Sequence, residues 1–472
     1  MSKYDIIITY QNDDYHTFTE IVQKTIKEKN MKPISFYLVT DTHYLNNILE
    51  PGGKAFEKNM VTEQFFVKES GAIISSTFDK IIEDHETDIV ILPGDLVKNG
   101  EKESHNGFIK ELYRLKDNGK KVYVITAGHD YNDSAYVLKG DGRVPVEGTY
   151  YNDLCEMYRD FGYGDAIAFD EPTHSYVAEI SDGVRMLAIH CDSKGQPKGT
   201  MDDRLMAWAK EQLDKAKEDN CSVFATCHYP IIPPVPVFDL VGDAKIKDWK
   251  KVASFLADNG VELVLTGHMH IQSINEFYSE SGNRLIDVCT SALVGSPAKY
   301  RKITIDENST LKVKSLDVPD FGWDLKGLTS QECFDNHFST AIIARVRGAL
   351  GGGKGIVKHL KAFGRKRFDK MTIKGFKRLL FLKRDKEFDK KKFSDFVGEV
   401  GLSIFSGDSP YVEGTAGCNL IAGILDRFSF VLKKVEPKLC KNGEKIDLRS
   451  MLLNTIGNNK GFSDNNAEFT LK

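Results

Sequence analysis

The pattern that most constrains this chain is a set of short apolar runs, each stopped by ligand-type residues. Ile89–Leu92 reads as a strand buried on both faces, of the kind found in parallel sheets, and Pro93-Gly94-Asp95 ends it on a carboxylate. Open α/β sheets carry their chemistry at the carboxyl ends of such strands. The arrangement recurs at Ile34–Val39 before Asp41-Thr42-His43, and at Lys121–Thr126 before Ala127-Gly128-His129-Asp130. It recurs again at Ser222–Thr226 before Cys227-His228, and at Val261–Leu265 before Gly267-His268-Met269-His270.

Between these strands lie stretches with helical apolar spacing: Gly71–Asp84, Ser104–Leu115, Asp203–Lys217 and Ile246–Asn259. Strand alternating with helix predicts an α/β domain with crossover connections. A hairpin, Ser175–Ile180 with Arg185–His190, carries His190 and Asp192. Short strands at Ile271–Phe277, Arg284–Cys289, Lys302–Ile305 and Leu311–Val318 are expected to form an antiparallel flank that closes the domain near 318. Residues 44–70 read as a long irregular loop, the sort that rims a substrate site.

Three regions follow: an N-terminal extension (1–32), a catalytic domain (33–318) and a basic, mainly helical C-terminal domain (319–472). The extension is expected to hold a strand at Asp5–Thr9 and a helix at Phe18–Lys29. The polar end, Gly461–Lys472, is expected to fray.

Composition narrows the class further. No stretch approaches the roughly 18–20 apolar residues of a membrane-spanning helix. Ile6-Ile7-Ile8 meets Gln11, Asp13 and Asp14 too early for a secretory signal. The eight cysteines are scattered with no Cys-x-x-Cys pair, so reduced thiols and a cytoplasmic location are expected. The net charge of -4 points to no partner, but its distribution is uneven.

Between 341 and 395, eighteen Lys/Arg stand against five Asp/Glu, interleaved with Phe363, Phe368, Phe376, Phe381, Phe388 and Phe393. The plain reading is a helical domain whose apolar face packs on the catalytic core while lysines solvate the rest. Sharper readings are contact with nucleic acid, an anionic membrane surface, or a raised local concentration of an anionic phosphoester substrate. Gly348–Gly355 has a superficial likeness to a phosphate-binding loop. It lacks a Ser/Thr after Lys354 and follows a helical pattern, so a flexible joint is expected instead.

The strand ends together deliver Asp41, His43, Asp95, His129, Asp130, His228, His268 and His270. Oxygen and imidazole donors without a thiolate suit Mn, Fe or Zn. Alternate residues of an extended segment point the same way, so each Asp-x-His and His-x-His pair is expected to face one cleft. The count fits two metals sharing one bridging carboxylate. His105, His174, His190, His337 and His359 are expected to be ordinary packed or hydrogen-bonded histidines.

This order of motifs resembles the calcineurin-like metallophosphoesterase superfamily over residues 33–318. Gly94-Asp95-Leu96 through Asn99-Gly100-Glu101, with Ser104-His105 after it, is similar to the bacterial phosphohydrolase branch. The resemblance implies an αββα sandwich with a dinuclear site at the carboxyl ends of its strands. It implies that Asp41, His43 and His270 hold the first metal, that Asp95 bridges, and that His228 and His268 hold the second. His129 would contact the phosphate and protonate the leaving group, with Asp130 orienting it.

The family carries a metal-ligating asparagine just before that histidine, and this chain has Gly128. The second site is therefore expected to be weak, completed by water or by Asn132 or Asp133 reaching back. Lys98 stands where purple acid phosphatases have a metal-binding tyrosine, which argues against an iron–tyrosinate centre. The expected function is metal-dependent phosphoester hydrolysis, with metal-activated water attacking phosphorus in line. Its alternatives are a phosphodiesterase for cyclic nucleotides or nucleic acid, and a one-metal binding protein of little or no activity because of Gly128.

Overall fold

The computed structural model describes residues 32–351, 368–382, 386–440, 445–458 and 460–472. Their strands run in chain order β1 (Ile34–Leu38), β2 (Ile89–Pro93), β3 (Lys121–Ile125), β4 (Tyr136–Lys139), β5 (Gly142–Pro145), β6 (Ala168–Asp170), β7 (Ser175–Ser181) and β8 (Val184–Ile189). They continue with β9 (Ser222–Cys227), β10 (Leu263–Thr266), β11 (Ser273–Tyr278), β12 (Arg284–Cys289), β13 (Lys299–Ile305), β14 (Thr310–Asp317) and β15 (Asn466–Thr470). One sheet has the order β15-β14-β13-β1-β2-β3, the other β11-β12-β10-β9-β8-β7-β6, and β4-β5 is a separate hairpin.

In the first sheet β1, β2 and β3 are parallel. In the second β8, β9, β10 and β12 are parallel. Parallel neighbours end at a common edge, so seven separate strand exits open along the two sheets' carboxyl ends.

The apolar alternation explains the layering. Phe36 of β1 stacks on Phe224 of β9 at 5.3 Å, and Leu38, Met186, Ala188, Leu263 and Leu265 complete the core they share. Ala225, Cys227 and Val264 belong instead to a second core with residues of helices Asp203–Glu218 and Trp249–Asp258. Asp202 caps the first of these helices by accepting from the Leu205 N–H. Ile73, Ile74 and Phe78 of helix Ser70–Glu83 and Leu112 and Leu115 of helix Lys102–Asp117 join the first core. The result is the expected αββα sandwich.

Several expectations need correction. Residues 44–70 are not wholly irregular: they contain helix Lys54–Met60, anchored by buried Phe56. Gly348 continues helix Ser330–Gly351 rather than forming a joint; 352–355, His359 and the extension's strand and helix lie outside the described residues.

The largest correction is at the end of the chain, where β15 pairs antiparallel with β14 along five residues instead of fraying. Asp464, 2% exposed, accepts from the Ile274 N–H and from Lys460, while the fully buried Arg301 donates to its backbone carbonyl. Region 319–472 thus ends inside the catalytic sheet.

In the described part of the basic block, apolar residues pack mainly on one another, where the plain reading expects them on the catalytic core. Phe388 and Phe393 pack against a small separate core of Ile373, Phe396, Tyr411, Leu420 and Ile421, with Phe376 stacked on Phe393 at 4.0 Å, while Phe381 is exposed. Arg347 pairs with Asp369 and Lys391 with Glu399. Helix Ser330–Gly351 makes the contact with the catalytic core, through Phe334. Among the described residues no helix is long and apolar enough to cross a membrane.

Candidate metal centre

At the strand exits the backbone turns through the left-handed region at non-glycine residues: φ is 51° at Asp41, 37° at His43, 51° at Asp95, 66° at His268 and 57° at His270. Such conformations are held only where surrounding structure enforces them, at about 1 kcal/mol or more each, and they cluster at functional sites. The Asp-x-His and His-x-His pairs therefore reach the cleft through tight turns, not through extended alternation. Gly94 (φ 98°) has no alternative residue: a β-carbon there would lie 2.7 Å from Ala127 Cβ and 2.8 Å from His228 Nδ1.

Two clusters form around Asp95. In one, His270 Nε2 lies 3.3 Å from Asp41 Oδ1 and 3.3 Å from His43 Nε2, which is 3.8 Å from Asp95 Oδ2. In the other, His228 Nε2 lies 3.2 Å from Asp95 Oδ2 and 3.3 Å from His268 Nδ1. His43, Asp95 and His129 make a third close group. The eight residues singled out above all come to this cleft or its wall.

Hydrogen bonds fix the ring tautomers in the second cluster. His228 Nδ1 donates to the Pro93 carbonyl at 2.9 Å, and His268 Nε2 donates to the Asp243 carbonyl at 2.6 Å. A carbonyl only accepts. When both rings are neutral, the opposite nitrogens are lone pairs that face each other beside a carboxylate. That donor set fits a divalent cation, which removes the repulsion between them.

Electrostatics agree. Burial opposes charge on Asp95, but His228, His129 and His43 together hold its carboxyl well below the usual range. Burial likewise opposes protonation of His228, and Asp95 overcomes it, raising that imidazole. Burial, with His228 adding to it, pushes His268 down to about 3; burial also depresses His43. Asp95 thus draws positive charge to this spot, carried by His228 when no cation is bound and by the cation in its place, while His268 and His43 stay neutral and free to donate lone pairs.

The first cluster is held by packing. Phe65 lies 4.1 Å from the His43 ring and 4.9 Å from that of His270, and His43 Nδ1 is buried without a partner among the described residues. Phe65 is braced from the C-terminal segment. Phe66 packs on Phe334 at 4.8 Å, His337 donates to the Glu63 carbonyl, and Arg345 donates to that of Thr62.

His129 is exposed. Its backbone N–H donates to Asp95 Oδ1 at 3.1 Å and its Nδ1 to the Lys98 carbonyl at 2.8 Å. Asp130 does not touch that ring. Its carboxylate accepts from the Leu96, Val97 and Ala127 N–H groups and locks the β2 and β3 exits together. Asn132 and Asp133 do not reach back either: Asn132 Oδ1 accepts from the Ser134 N–H, and Asp133 pairs with Lys194 at 2.8 Å. Lys98 pairs with Glu63 and lies over Phe65.

Outside the cleft, His105, His174, His190 and His337 make packing and hydrogen-bond contacts. His105 bridges Tyr158 and the Asp130 carbonyl, and His174 and His190 pack on Tyr151. Asp192 is the residue that sequence reasoning noticed but did not weigh. It leaves the carboxyl end of β8, next to the strand that delivers His228, and that is the same signal that identified the others. Beside His129, a pocket of about 220 Å³ is lined by Phe56, Met60, Val137, Lys98 and Arg143.

A family model for calcineurin-like phosphoesterases matches residues 34–272. No curated protein sequence matches the chain. Among solved structures it is similar to a dimetal phosphatase from Danio rerio, at 11% identity over 60% of this chain and 95% of that one, with a TM-score of 0.44. A purple acid phosphatase from yellow lupin seeds aligns at 13% identity over 61% of this chain and 52% of that one, TM-score 0.34. A 5'-nucleotidase precursor from Thermus thermophilus aligns at 13% identity over 68% and 59%, TM-score 0.35. The chain thus spans little more than half the length of the last two. The family match covers half the chain and every motif from Asp41 to His270, and the chain belongs to the calcineurin-like phosphoesterase family of phosphoester hydrolases.

Proposed function

We propose that this protein hydrolyses a phosphoester at a two-cation site. Asp41, His43 and His270 hold one cation, His228 and His268 the other, and Asp95 spans both. The observation that most supports this is the convergence of three ligand-type atoms, with His228 Nε2 3.3 Å from His268 Nδ1 and 3.2 Å from Asp95 Oδ2. Cations bound here would supply Lewis acidity toward phosphoryl oxygens and a nucleophilic water at neutral pH. Mn, Fe and Zn all suit these donors.

His129 is the general acid. With its Nδ1–H fixed on the Lys98 carbonyl, Nε2 is the atom that takes or gives a proton, and the protonated ring donates to the leaving oxygen. The adjacent pocket combines apolar Phe56, Met60 and Val137 with the charges of Lys98 and Arg143. That lining favours a leaving group with an apolar body and an anionic or polar edge.

The test is metal analysis of the protein as purified, followed by assay on matched phosphomonoester and diester substrates with and without chelator. Hydrolysis lost to the chelator and restored by Mn is the expected result. Turnover by fully demetallated protein would refute the reading. Gly128 by itself favours the second reading, a one-cation binding protein; one tightly bound equivalent with no turnover on either substrate class would establish it.

A further inference from the structure

Gly128 brings no side chain to the cleft, but the space beside it is filled. A β-carbon built at Gly128 would lie 2.7 Å from Asp192 Oδ2 and 3.2 Å from Lys198 Nζ. An asparagine side chain at 128 would have to enter the volume that the Asp192 carboxylate occupies.

Topology puts Asp192 there. β8, β9 and β10 are consecutive parallel strands of one sheet, and their exits deliver Asp192, His228 and His268 at one edge. The Asp192 backbone is fixed on both sides: its N–H donates to His190 Nδ1 and its carbonyl accepts from the Tyr131 hydroxyl at 3.0 Å. Asp192 is only 4% exposed, yet Oδ1 has no hydrogen-bond partner among the described residues. A buried carboxylate oxygen without a partner is costly unless a cation or proton satisfies it.

We propose that Asp192 is a ligand of the cation held by His228 and His268, standing in from a neighbouring strand for the side chain that Gly128 lacks; this rests on the two-cation reading above. A carboxylate brings a full charge where an amide brings none, so this site binds its cation firmly rather than weakly. Lys198 offsets part of the added charge. The competing account is that Asp192 serves only as a counter-charge for Lys198.

Calorimetric titration of the demetallated full-length protein with Mn, paired with metal counting after desalting, separates these accounts. Wild type should bind two equivalents. Asp192→Ala should keep one and lose the other, and Asp192→Asn, which keeps the shape, should weaken one site by at least about tenfold. Gly128→Asn alone should crowd Asp192 and weaken the same site, whereas Gly128→Asn combined with Asp192→Ala should restore the second equivalent.

Circular dichroism and melting establish that each variant is folded; if Asp192→Ala is not, Asp192→Asn decides. Two equivalents with unchanged affinity in the folded Asp192 variant would overturn the role of Asp192 and leave the two-cation reading standing. Wild type binding one equivalent or none would instead overturn that reading, and Asp192 with it.

Discussion

The two halves of the cleft hold their imidazoles by different means. On the second-sheet side, His228 and His268 are each pinned by a hydrogen bond to a backbone carbonyl, which sets both tautomer and direction. On the first-sheet side, His43 has no such bond at Nδ1 and is positioned by the face of Phe65, itself braced through Phe66 by a helix from the C-terminal segment. One half is preorganised by local hydrogen bonds and the other by packing from distant sequence. Asp95 alone belongs to both, 3.2 Å from His228 and 3.8 Å from His43.

The largest break in this comparison is Asp95→Asn, which takes the shared carboxylate from both halves. Both cations should weaken together and turnover should fall by on the order of 10³-fold, the equivalent of several kcal/mol of transition-state stabilisation. Retention of one full-affinity cation would show that Asp95 serves only one half.

His129→Ala tests the residue that lies outside both arrangements. Turnover should drop by about 10²–10⁴-fold while metal content stays at the wild-type value. A parallel loss of metal would make His129 a ligand instead, a role its proximity to His43 and Asp95 permits.

Phe65→Ala addresses the packed half alone. Removing this buried ring should lower stability by about 3 kcal/mol, measured by urea unfolding, and loosen one cation while the carbonyl-pinned site is unchanged. Equal weakening of both sites would contradict the division.

Beneath both halves, His105 makes the smallest, pH-restricted contribution. Its Nε2 donates to the Asp130 carbonyl and its Nδ1 accepts from the Tyr158 hydroxyl, so the buried ring is satisfied only when neutral, and burial pushes it down to about 4. The unfolded chain takes up this proton near 6.5. Between those values the unfolded state binds more protons, so stability falls as pH falls from about 6.5 to 4, by up to about 3 kcal/mol from this group. His105→Gln should flatten that part of the profile in urea titrations at pH 7 and pH 5. His190, pushed down to about 3 by burial, leaves some acid sensitivity in place. An unaltered pH slope in the variant would exclude His105 as a contributor.

The same contrast explains what could be read from sequence. β1, β2, β3, β9 and β10 were legible because a strand buried on both faces is a continuous apolar run, and a ligand after it stands out. Asp192 was harder because its strand, β8, pairs with β7 as a hairpin, so the residues after it read as part of that hairpin and not as a strand exit. Its value depends on a missing side chain 64 positions earlier in the chain, at Gly128.

Left-handed turns at Asp41 and His268 leave no mark in composition, since aspartate and histidine tolerate them. The polar end reads as frayed because Asp464 looks solvated until the Ile274 N–H and Lys460 are seen to donate to its carboxylate and Arg301 to its carbonyl. The bracing of Phe65 by a helix some 270 residues away, through His337 and the Glu63 carbonyl, is a long-range contact that no local pattern encodes.

The most direct test of the account is anomalous diffraction from crystals grown with excess Mn. It predicts two peaks roughly 3.5–4 Å apart on either side of Asp95, one among Asp41, His43 and His270 and the other among His228, His268 and Asp192. Full anomalous signal elsewhere, with these side chains turned away from any ion, would contradict it.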